Sequence, residues 1–520
     1  MAREERDGGA RAVERSRATV SAIGLAAQDG AARGPTLAQK AVLAGVILAM
    51  TGLAISDLKV GWMILYGLLF SGFGLSVALR LGAMLLARPG GAWRPRADDD
   101  LPHYTVIVPL YQEAAMLPGV VAAMQAIDYP RDRLQVIIAV EEDDLETQAA
   151  MARLRTPAFI SMMIAPPGSP RTKPRACNIA LQRARGRLVV VFDAEDRPHP
   201  QQLREAAARF AAGPPDLACL QAPLRIDADR RFIPAQFAVE YAVQFEVFLP
   251  ALARLGLPFP LGGTSNHFRT RALREVGGWD AHNVTEDADL GFRLAAKGWK
   301  LGMLASPTFE PAPVTLTDWL PQRARWVKGH MQSFGVHSRR MLGQSPRFNA
   351  ALLATLGLSS LSVLLHGPAA AWIIATTLAG WMAGDALPVA ARDLALLLAG
   401  WAASAGCGVI GLRRAGSPVR PRDILMAPLY WPMLSLAAAH AVWQLIRAPY
   451  HWDKTRHSPV EAAAGLDAAS SLRVSAGTWT ARNPRWRTRP SSCAPPPGAI
   501  TPSSTAATGA SWSATESTRS

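Results

Sequence analysis

The amino-acid sequence predicts an α/β domain with a mostly parallel sheet, flanked on both sides by transmembrane helices. Two observations carry this prediction. Between residues 98 and 345, short apolar runs alternate with helical stretches, a pattern typical of a parallel sheet covered on both faces. Before and after this region lie long segments without charged side chains, and such segments are typical of membrane spans.

The composition agrees with a folded domain joined to membrane helices. The 520 residues are 49% hydrophobic and 18% charged, which is too apolar for an ordinary soluble enzyme and too charged for membrane spans alone. The net charge of +15 fits arginines on a cytoplasmic face near anionic lipid better than a nucleic-acid partner, for which no motif is visible. The four cysteines are far apart, so neither a disulfide framework nor a zinc site is predicted.

The chain begins with a mixed-charge segment and a predicted hairpin of spans. Residues 1–37 lack periodicity and are predicted to be a disordered basic arm. Residues 38–84 contain two uncharged segments, 41–56 and 60–79, separated by a short turn. Arginines follow the second segment and place that end in the cytoplasm; they are Arg80, Arg88, Arg94 and Arg96.

Residues 98–345 form the predicted α/β domain. The strands are predicted at Tyr104–Pro109, Gln135–Val140 and Arg187–Phe192, with helices including 114–127 and 175–184. Ligands collect at the carboxyl ends of strands in such sheets. Acidic runs follow the second and third strands, at Glu141–Asp144 and Asp193–Asp196. A binding site is therefore expected at this edge of the sheet.

Residues 348–447 are predicted to hold about four spans, at 350–365, 369–384, 394–412 and 424–446, with His366-Gly367-Pro368 breaking the first pair. Six spans in all would place four arginines outside, against the positive-inside rule: Arg413, Arg414, Arg420 and Arg422. One segment that lies on the surface or re-enters would remove this conflict. Residues 448–520 are predicted to form a cytoplasmic, largely disordered tail.

Several side chains could act on a nucleotide sugar, whose diphosphate leaving group needs a cation. Asp193, Glu195 and Asp196 could hold Mg²⁺ or Mn²⁺, or could form a solvated acidic turn before a helix. Asp287, in Thr285-Glu286-Asp287, could take a proton from the incoming hydroxyl, or could belong to a helix start. Glu286 and Asp289 are expected to serve local structure.

Basic and aromatic side chains could complete the site. Lys173 could hold the diphosphate and Glu113 could touch the nucleoside, although each could equally belong to a helix start. In the segment Gln322–Trp326, Arg325 could face phosphate and Trp326 could stack on a sugar ring. The alternative is an interfacial helix with Trp319 and Trp326 at the lipid boundary and basic groups at head groups.

With these motifs, residues 40–460 resemble the processive, membrane-bound inverting glycosyltransferases of family 2, above all bacterial cellulose synthase catalytic subunits. The resemblance implies a Rossmann-like fold of the GT-A type and Asp287 as the general base. Asp193 matches the first acid of the metal-binding pair, and either Glu195 or Asp196 matches the second. The nucleoside-binding acid falls within Glu141–Asp144, so that Glu142 and Asp144 become candidates.

The resemblance also implies an acceptor site and a product. The Gln-x-x-Arg-Trp motif, typical of polymer-making members, is intact at Gln322, Arg325 and Trp326. The loop Gly262–His267 resembles the segment beside the acceptor, so Gly263, Thr264, Gln322 and Trp326 are expected to bind it. Nucleotide-sugar binding is expected at Glu113, Glu142, Asp144, Lys173, Asp193 and Arg325.

The implied function is transfer of a hexose from a UDP-sugar to a growing β-linked polysaccharide, with product translocation. The expected location is a bacterial inner membrane, multi-pass, with the catalytic domain cytoplasmic. Expected partners are the UDP-sugar, a glycan acceptor and membrane lipids; accessory export proteins are further candidates, and nucleic acid is not expected. The rivals are a non-processive transferase acting on a lipid or polyprenyl phosphate, and a transporter or structural protein that binds nucleotide without turnover.

Overall fold

The computed structural model describes residues 13–14, 25–26, 29–88, 90–384 and 390–451. Its strands, in chain order, are β1 Val13–Glu14, β2 Tyr104–Leu110, β3 Leu134–Glu141, β4 Ile160–Ala165, β5 Leu188–Val191, β6 Arg197–Pro198, β7 Leu217–Gln221, β8 Leu224–Asp227, β9 Asn266–Arg269, β10 Lys300–Met303 and β11 Thr308–Pro311. The main sheet has eight strands in the order β1-β4-β3-β2-β5-β9-β7-β10, and the smaller sheet has the order β6-β11-β8.

The mostly parallel sheet predicted from the sequence is confirmed. Only β9 runs antiparallel to its neighbours β5 and β7 in the main sheet of the described residues. Alternate residues of the central strands enter two different cores, because successive side chains of a strand point to opposite faces. Ile107 and Ile137 join one core, whereas Val106 and Val136 join the other. Both faces of the sheet are therefore covered.

The helices of this domain pack around the sheet. They are α3 Leu117–Ala126, α4 Leu145–Arg153, α5 Lys173–Arg183, α6 Gln202–Ala212, α7 Phe232–Val243, α8 Leu249–Arg254, α9 Thr270–Glu275, α10 Glu286–Ala296 and α11 Leu316–Ser338. A π-helical turn, Gln244–Phe248, joins α7 to α8. Two helices precede the domain, α1 Leu37–Ser56 and α2 Leu58–Leu86.

The remaining helices follow the domain: α12 Pro346–Leu352, α13 Leu358–Met382, α14 Ala391–Ala415, α15 Pro421–Leu425 and α16 Ala427–Arg447. In the described part of the chain, three helices are long and apolar enough to cross a membrane: Leu58–Leu86, Pro346–Met382 and Ala391–Ala415. The apolar segment Leu37–Leu53 is shorter. These helices fit a protein associated with a membrane.

The predicted break at His366-Gly367-Pro368 is wrong, because α12 and α13 form one helical segment of 37 residues. Proline normally interrupts a helix by removing a hydrogen bond and crowding the preceding turn. Here Ser435 of α16 repairs the gap. Its hydroxyl accepts a hydrogen bond from the Gly367 N–H at 2.8 Å and donates one to the Val363 carbonyl at 2.5 Å. The two predicted segments are therefore one.

The end of α14 lies beside the α/β domain. Arg414 donates hydrogen bonds to the carbonyl of Glu246, in the π-helical turn, and to that of Ala87, each at 2.9 Å. Helix α16 then runs along α11, since Trp319 donates to Tyr430 at 2.9 Å and Lys328 donates to Gln444 at 2.9 Å. Both halves of α16 thus contact the same domain helix.

Part of the segment predicted to be disordered is bound to the domain. The N–H of Ala31 donates to Asp280 at 2.6 Å, and Arg339 donates to the carbonyls of Gly30 and Gly34, each at 2.9 Å. These contacts hold residues 30–34 against the end of α11. Most of the remaining predicted arm and residues 452–520 of the predicted tail lie outside the described residues.

Candidate active site

A cavity of about 490 Å³ opens at the carboxyl ends of β2, β3 and β5. Asp193, which follows β5, and Asp287, at the start of α10, both line it. Ten predicted site residues share this cavity: Glu113, Lys173, Asp193, Glu195, Gly263, Thr264, Asp287, Gln322, Arg325 and Trp326. Residues that are far apart in the sequence therefore meet at the edge expected for a parallel sheet.

Lys173 links the two sides of the cavity. It is the first residue of α5, and its ammonium contacts Asp193 Oδ1 at 2.5 Å and donates to the Gly263 carbonyl at 2.8 Å. Burial alone would lower the pKa of Lys173, but the carboxylates of Asp193, Asp287 and Glu286 raise it well above its usual value. The ammonium therefore stays charged between the acids of both walls.

Glu195 and Asp196 are adjacent in the chain but occupy different places. Glu195 lines the cavity, and burial together with the Asp193 carboxylate raises its pKa to about 7. Asp196 lies behind the acidic loop and is 3% exposed. Its Oδ2 accepts hydrogen bonds from the Asp193 N–H, at 2.6 Å, and from the Thr264 hydroxyl. Asp196 thus holds the loop while Glu195 faces the open space.

Asp287 lies in the first turn of α10, where the N–H groups of the helix are not yet paired. Burial and the neighbouring Glu286 raise the pKa of Asp287 well above its usual value, while Lys173 opposes this shift. Glu286 also lines the cavity. Asp289 does not: its carboxylate is buried against Arg293 at 2.7 Å and His337 at 2.9 Å.

Gly329 of α11 allows the start of α10 to approach this closely. A Cβ atom placed on Gly329 would lie 2.2–2.7 Å from side-chain atoms of Thr285, the residue before α10. Real Cβ atoms do not come so near other atoms, so either helix would have to shift. The absence of a side chain at Gly329 thus sets the position of Asp287 relative to α11.

Helix α11 supplies the remaining wall. The Trp326 ring packs near Phe237 and Tyr241 of α7, with centroid distances of 5.9 Å and 6.0 Å. Arg323 binds Glu240 of α7 with two nitrogen–oxygen distances of 2.6 Å and so ties the helices together. These contacts leave Gln322, Arg325 and Trp326 lining the cavity.

The interfacial alternative for the α11 segment does not fit its contacts. Trp319 is fully buried and donates to Tyr430, so it does not lie at a lipid boundary. Lys328 is also fully buried and donates to Gln444 and to the His451 carbonyl, at 2.9 Å and 2.7 Å. The helix is instead covered by α16.

Besides Asp196 and Asp289, three further residues highlighted in the sequence lie outside the cavity lining. Glu142 is exposed. Asp144 is buried, caps α4 through the Thr147 N–H at 3.1 Å and accepts from the Gln112 N–H at 2.5 Å. It thereby holds the loop that carries Glu113. His267 is buried between Tyr104 and Gln202, and burial lowers its pKa to about 3.

The structure adds cavity residues that the motifs did not single out. Glu141 ends β3 and pairs with Arg175 at 3.1 Å, and Arg171 lies near it. Tyr241 and Glu310 line the other end. Glu141 belongs to the acidic run after the second predicted strand, so the sequence could have identified it as a site residue. Glu310 is the single acid in a four-residue strand. No sequence pattern identified Glu310.

Carboxylates outnumber cationic groups around the cavity, which favours a bound cation. The lining acids are Glu113, Glu141, Asp193, Glu195, Glu240, Glu286, Asp287 and Glu310, against Arg171, Lys173, Arg323 and Arg325. Burial lowers the pKa of His330 to about 4, so it adds no positive charge at neutral pH. No group of three or more acids, histidines or cysteines among the described residues forms a complete metal cage. A magnesium-type ion bound by one or two carboxylates plus phosphate oxygens needs no such cage.

Comparison with known proteins identifies the domain. The family model described as "Glycosyl transferase family group 2" matches residues 188–405, which include the acidic loop, Asp287 and the Gln322–Trp326 segment. Residues 188–405 therefore match a glycosyltransferase family 2 domain. Its mostly parallel sheet, with helices on both faces, agrees with the GT-A-type fold expected for this family.

Two curated relatives are similar to the family 2 domain. A beta-monoglucosyldiacylglycerol synthase of Synechocystis is 29% identical over 241 residues, covering 45% of this chain and 49% of the relative. The cellulose synthase 1 catalytic subunit of Komagataeibacter xylinus is 26% identical over 265 residues, covering 50% and 34%. The chain thus spans about half the length of the first relative and about a third of the second.

A solved mannosyltransferase from Pyrobaculum calidifontis, in complex with GDP-Man and Mn²⁺, is 18% identical to this chain, with a TM-score of 0.47. The likeness covers 73% of this chain and 97% of that one.

Proposed function

We propose that this protein is an inverting glycosyltransferase that moves a hexose from a UDP-sugar to a growing β-linked polysaccharide at the bacterial inner membrane. One observation carries the proposal: Asp193 and Asp287 line the same cavity on either side of the Lys173 ammonium. Family 2 membership of the domain supports transfer from a nucleotide sugar. The chemistry then needs a site for a diphosphate and a base for the acceptor.

Asp193 and Glu195 would hold Mg²⁺ or Mn²⁺, because both face the cavity whereas Asp196 is turned into the loop. When bound, the cation neutralises negative charge that develops on the departing diphosphate. Lys173 and Arg325 add positive charge from the opposite walls. Glu113 and Glu141 lie at the other end of the cavity, near Arg171, where the nucleoside would bind.

Asp287 would accept the proton of the acceptor hydroxyl. The freed oxygen attacks the anomeric carbon from the face opposite the diphosphate, so a new carbon–oxygen bond forms as the old one breaks. The electron pair of the broken bond leaves with UDP, and the configuration inverts. The raised pKa of Asp287 makes its carboxylate a stronger proton acceptor than a free aspartate.

Four helical segments would cross the membrane: α1, α2, the continuous α12–α13 segment and α14. The catalytic domain and the arginines after α14 would then share the cytoplasmic side, and the contacts of Arg414 support this. Helix α16, which contacts both α11 and the α12–α13 segment, would lie at the membrane surface on that side. Membrane lipids surround the spans, and the product would pass between them. Accessory export proteins stay a prediction.

Transfer to a lipid is the second candidate function. The relative from Synechocystis is named as a synthase of a glucosylated diacylglycerol, and it aligns with nearly half of this chain. A non-processive enzyme of this kind would use the same donor site and the same base. Product size separates the two, because a polymer grows in length whereas a glycolipid carries one added sugar.

The first experiment tests turnover and the role of Asp287. The purified protein in detergent, with Mn²⁺ and labelled UDP-glucose, UDP-galactose or UDP-N-acetylglucosamine, should release UDP with at least one donor. Asp287→Asn should bind nucleotide normally and lose transfer by about 10²- to 10⁴-fold, because the proton acceptor is gone. The exposed Asp132→Asn serves as control.

Undiminished synthesis by Asp287→Asn would refute its role as the base. Absence of UDP release from the wild type with every donor would support the rival in which the domain binds nucleotide without turnover. A labelled product that stays at one sugar on a lipid would favour the second candidate.

A further inference from the structure

Glu310 is a cavity residue without an assigned task. It lies in β11, between the acidic loop that contains Asp193 and helix α7. Its Oε1 is buried and has no hydrogen-bond partner among the described residues. Burial, and then the neighbouring acids Asp196, Glu195 and Asp193, raise the pKa of Glu310 well above its usual value. A buried carboxyl group without a hydrogen-bond partner is costly, because it has lost water and gained nothing in return. A ligand that brings hydroxyl groups would remove this cost.

The neighbours of Glu310 identify the end of the cavity that it serves. Burial and the nearby Glu310 carboxylate both raise the pKa of Tyr241, so the two side chains lie close together. Tyr241 packs beside Trp326 and Phe245, which also line the cavity. Flat aromatic faces with a few polar groups suit sugar rings. The groups predicted to hold the nucleoside lie at the opposite end.

Resting on the proposed function, we propose that Glu310 binds an acceptor sugar. Its carboxyl oxygen accepts a hydrogen bond from an acceptor hydroxyl other than the one that attacks. Asp287 takes the proton of the attacking hydroxyl, and Glu310 fixes the orientation of the ring that carries it. Positioning of this kind accounts for a large part of the rate of bimolecular reactions on enzymes.

This role favours one class of acceptor. A diacylglycerol has a single free hydroxyl, which is consumed as the nucleophile, so it leaves nothing for Glu310 to bind. A polyprenyl phosphate carries a phosphate in place of hydroxyl groups, so it offers Glu310 no neutral hydroxyl to bind. A sugar has several neutral hydroxyl groups and suffers neither difficulty. Glu310 therefore favours a glycan as the acceptor.

The test compares Glu310→Ala and Glu310→Gln with the wild type, and the exposed Glu275→Gln is the matched control. Each protein is incubated with the labelled UDP-sugar that the wild type turns over. Two products are then measured: the glycosidic product of transfer and the free hexose released by hydrolysis. For Glu310→Ala, the ratio of transfer to hydrolysis should fall about 10- to 100-fold, the effect of losing a buried hydrogen bond and leaving its partner unpaired. Glu310→Gln, which keeps one acceptor oxygen, should fall less.

Two further measurements exclude other roles. The melting temperature of both variants should not drop, because Glu310 Oε1 has no protein partner to lose. The Mn²⁺ concentration for half-maximal turnover should stay that of the wild type. A lower melting temperature would show a structural role, and a raised Mn²⁺ requirement would show a cation ligand. Either result overturns the inference.

The acceptor class is tested with cellobiose, dioleoylglycerol and a polyprenyl phosphate supplied separately to the wild type. Glycosylation of either lipid, with a transfer-to-hydrolysis ratio that Glu310→Ala leaves unchanged, would overturn the inference while sustaining glycosyltransferase activity. Equal losses of transfer and hydrolysis in Glu310→Ala would also overturn it. Absence of UDP release from the wild type is a different result, which defeats the proposed function itself.

Discussion

Neighbouring acids in this protein have different tasks, although the chain separates them by only one or two residues. Asp193 and Glu195 face the cavity, whereas Asp196 accepts hydrogen bonds from the Asp193 N–H and the Thr264 hydroxyl. After the strand, the chain turns so that Asp196 supports the loop while Asp193 and Glu195 line the cavity. The sequence alone leaves Glu195 and Asp196 equally placed beside Asp193.

Two amide substitutions should separate these roles. Glu195→Gln should raise the Mn²⁺ concentration for half-maximal activity by about tenfold or more, because a neutral amide is a poor ligand for a hard cation. Asp196→Asn should instead lower stability by about 1–3 kcal/mol, since an acceptor of two buried hydrogen bonds is changed. Metal titrations and urea denaturation measure the two effects. A larger Mn²⁺ shift in Asp196→Asn than in Glu195→Gln would reverse the assignment.

The Glu195 carboxylate also predicts that the Mn²⁺ requirement depends on pH. Burial and the Asp193 charge raise the pKa of Glu195 to about 7, so a proton competes with the cation near neutral pH. As the pH falls from 8 to 6, Glu195 becomes protonated and the half-saturating Mn²⁺ concentration should rise. In Glu195→Gln this rise should be smaller, because the titrating group is absent. An equal pH dependence in both proteins would exclude Glu195 as the competing group.

At the scale of elements, the contact between α10 and α11 determines the position of Asp287, the proposed base. Gly329 has no Cβ, and this allows Thr285 to lie directly against α11. Asp287 follows Thr285 in the first turn of α10, so a shift of this helix moves the base relative to the α11 wall. A displacement of 1 Å at a reacting group can cost about 10²-fold in rate.

Gly329→Ala should therefore reduce transfer by about 10- to 100-fold, while nucleotide binding at Lys173 and Asp193 is less affected. Gly335→Ala is the matched control, because it lies on the same helix and a Cβ there meets nothing within 4 Å. That control should be active and slightly more stable, since alanine favours helix over glycine by about 0.5–1 kcal/mol. Initial rates and nucleotide titrations give the comparison. Equal rates for the two variants would contradict it.

The sequence predicted the elements better than it predicted their partners. The buried runs around Val106, Val136 and Val190 could be read as strands because they are short, mostly apolar and rich in valine and isoleucine. Pro368 suggested a helix end, but its effect is cancelled by Ser435, which is distant in the sequence. Trp319, Trp326 and nearby basic residues suggested an interfacial helix, because local periodicity does not reveal that α16 covers Trp319 and Lys328.

For the candidate site too, the sequence identified residues in recognisable motifs but not those whose role depends on packing. Motifs with a fixed spacing located Asp193, Asp287 and Trp326, because each follows or begins an element that the pattern identifies. Glu310 was missed since its significance comes only from the loop and helix packed around it. Asp144 was proposed for the nucleoside, but its position in the acidic run made it the cap of α4.

At the scale of the whole molecule, the helix packing bears on which side of the membrane the arginines after α14 would lie. A count of six spans placed the arginines after α14 on the outside, against the distribution expected for loops of membrane proteins. In the proposed arrangement of four crossings, the continuous α12–α13 segment would cross once. Helix α16, which packs along α11, would not cross, and the end of α14 would lie on the side of the catalytic domain.

Single cysteines can test this topology. We expect Ala383→Cys, at the exposed end of α13, to react from the periplasmic side, and Pro418→Cys, in the exposed turn after α14, to react only from the cytoplasmic side. Replacing Cys493 with alanine removes the one native cysteine outside the described residues, while Cys177, Cys219 and Cys407 are buried. A membrane-impermeant maleimide, applied to intact spheroplasts and to inverted vesicles, reads out each side.

Four crossings require that Ala383→Cys and Pro418→Cys lie on opposite sides, with Pro418→Cys on the side of the catalytic domain. Six crossings place the residue 418 turn in the periplasm instead, because 350–365 and 369–384 then cross separately. The control is a cysteine at Asp132, which is exposed on the catalytic domain and should react together with Pro418→Cys. Labelling of Pro418→Cys in intact spheroplasts would contradict the arrangement, because Arg414 could not then reach the Glu246 and Ala87 carbonyls.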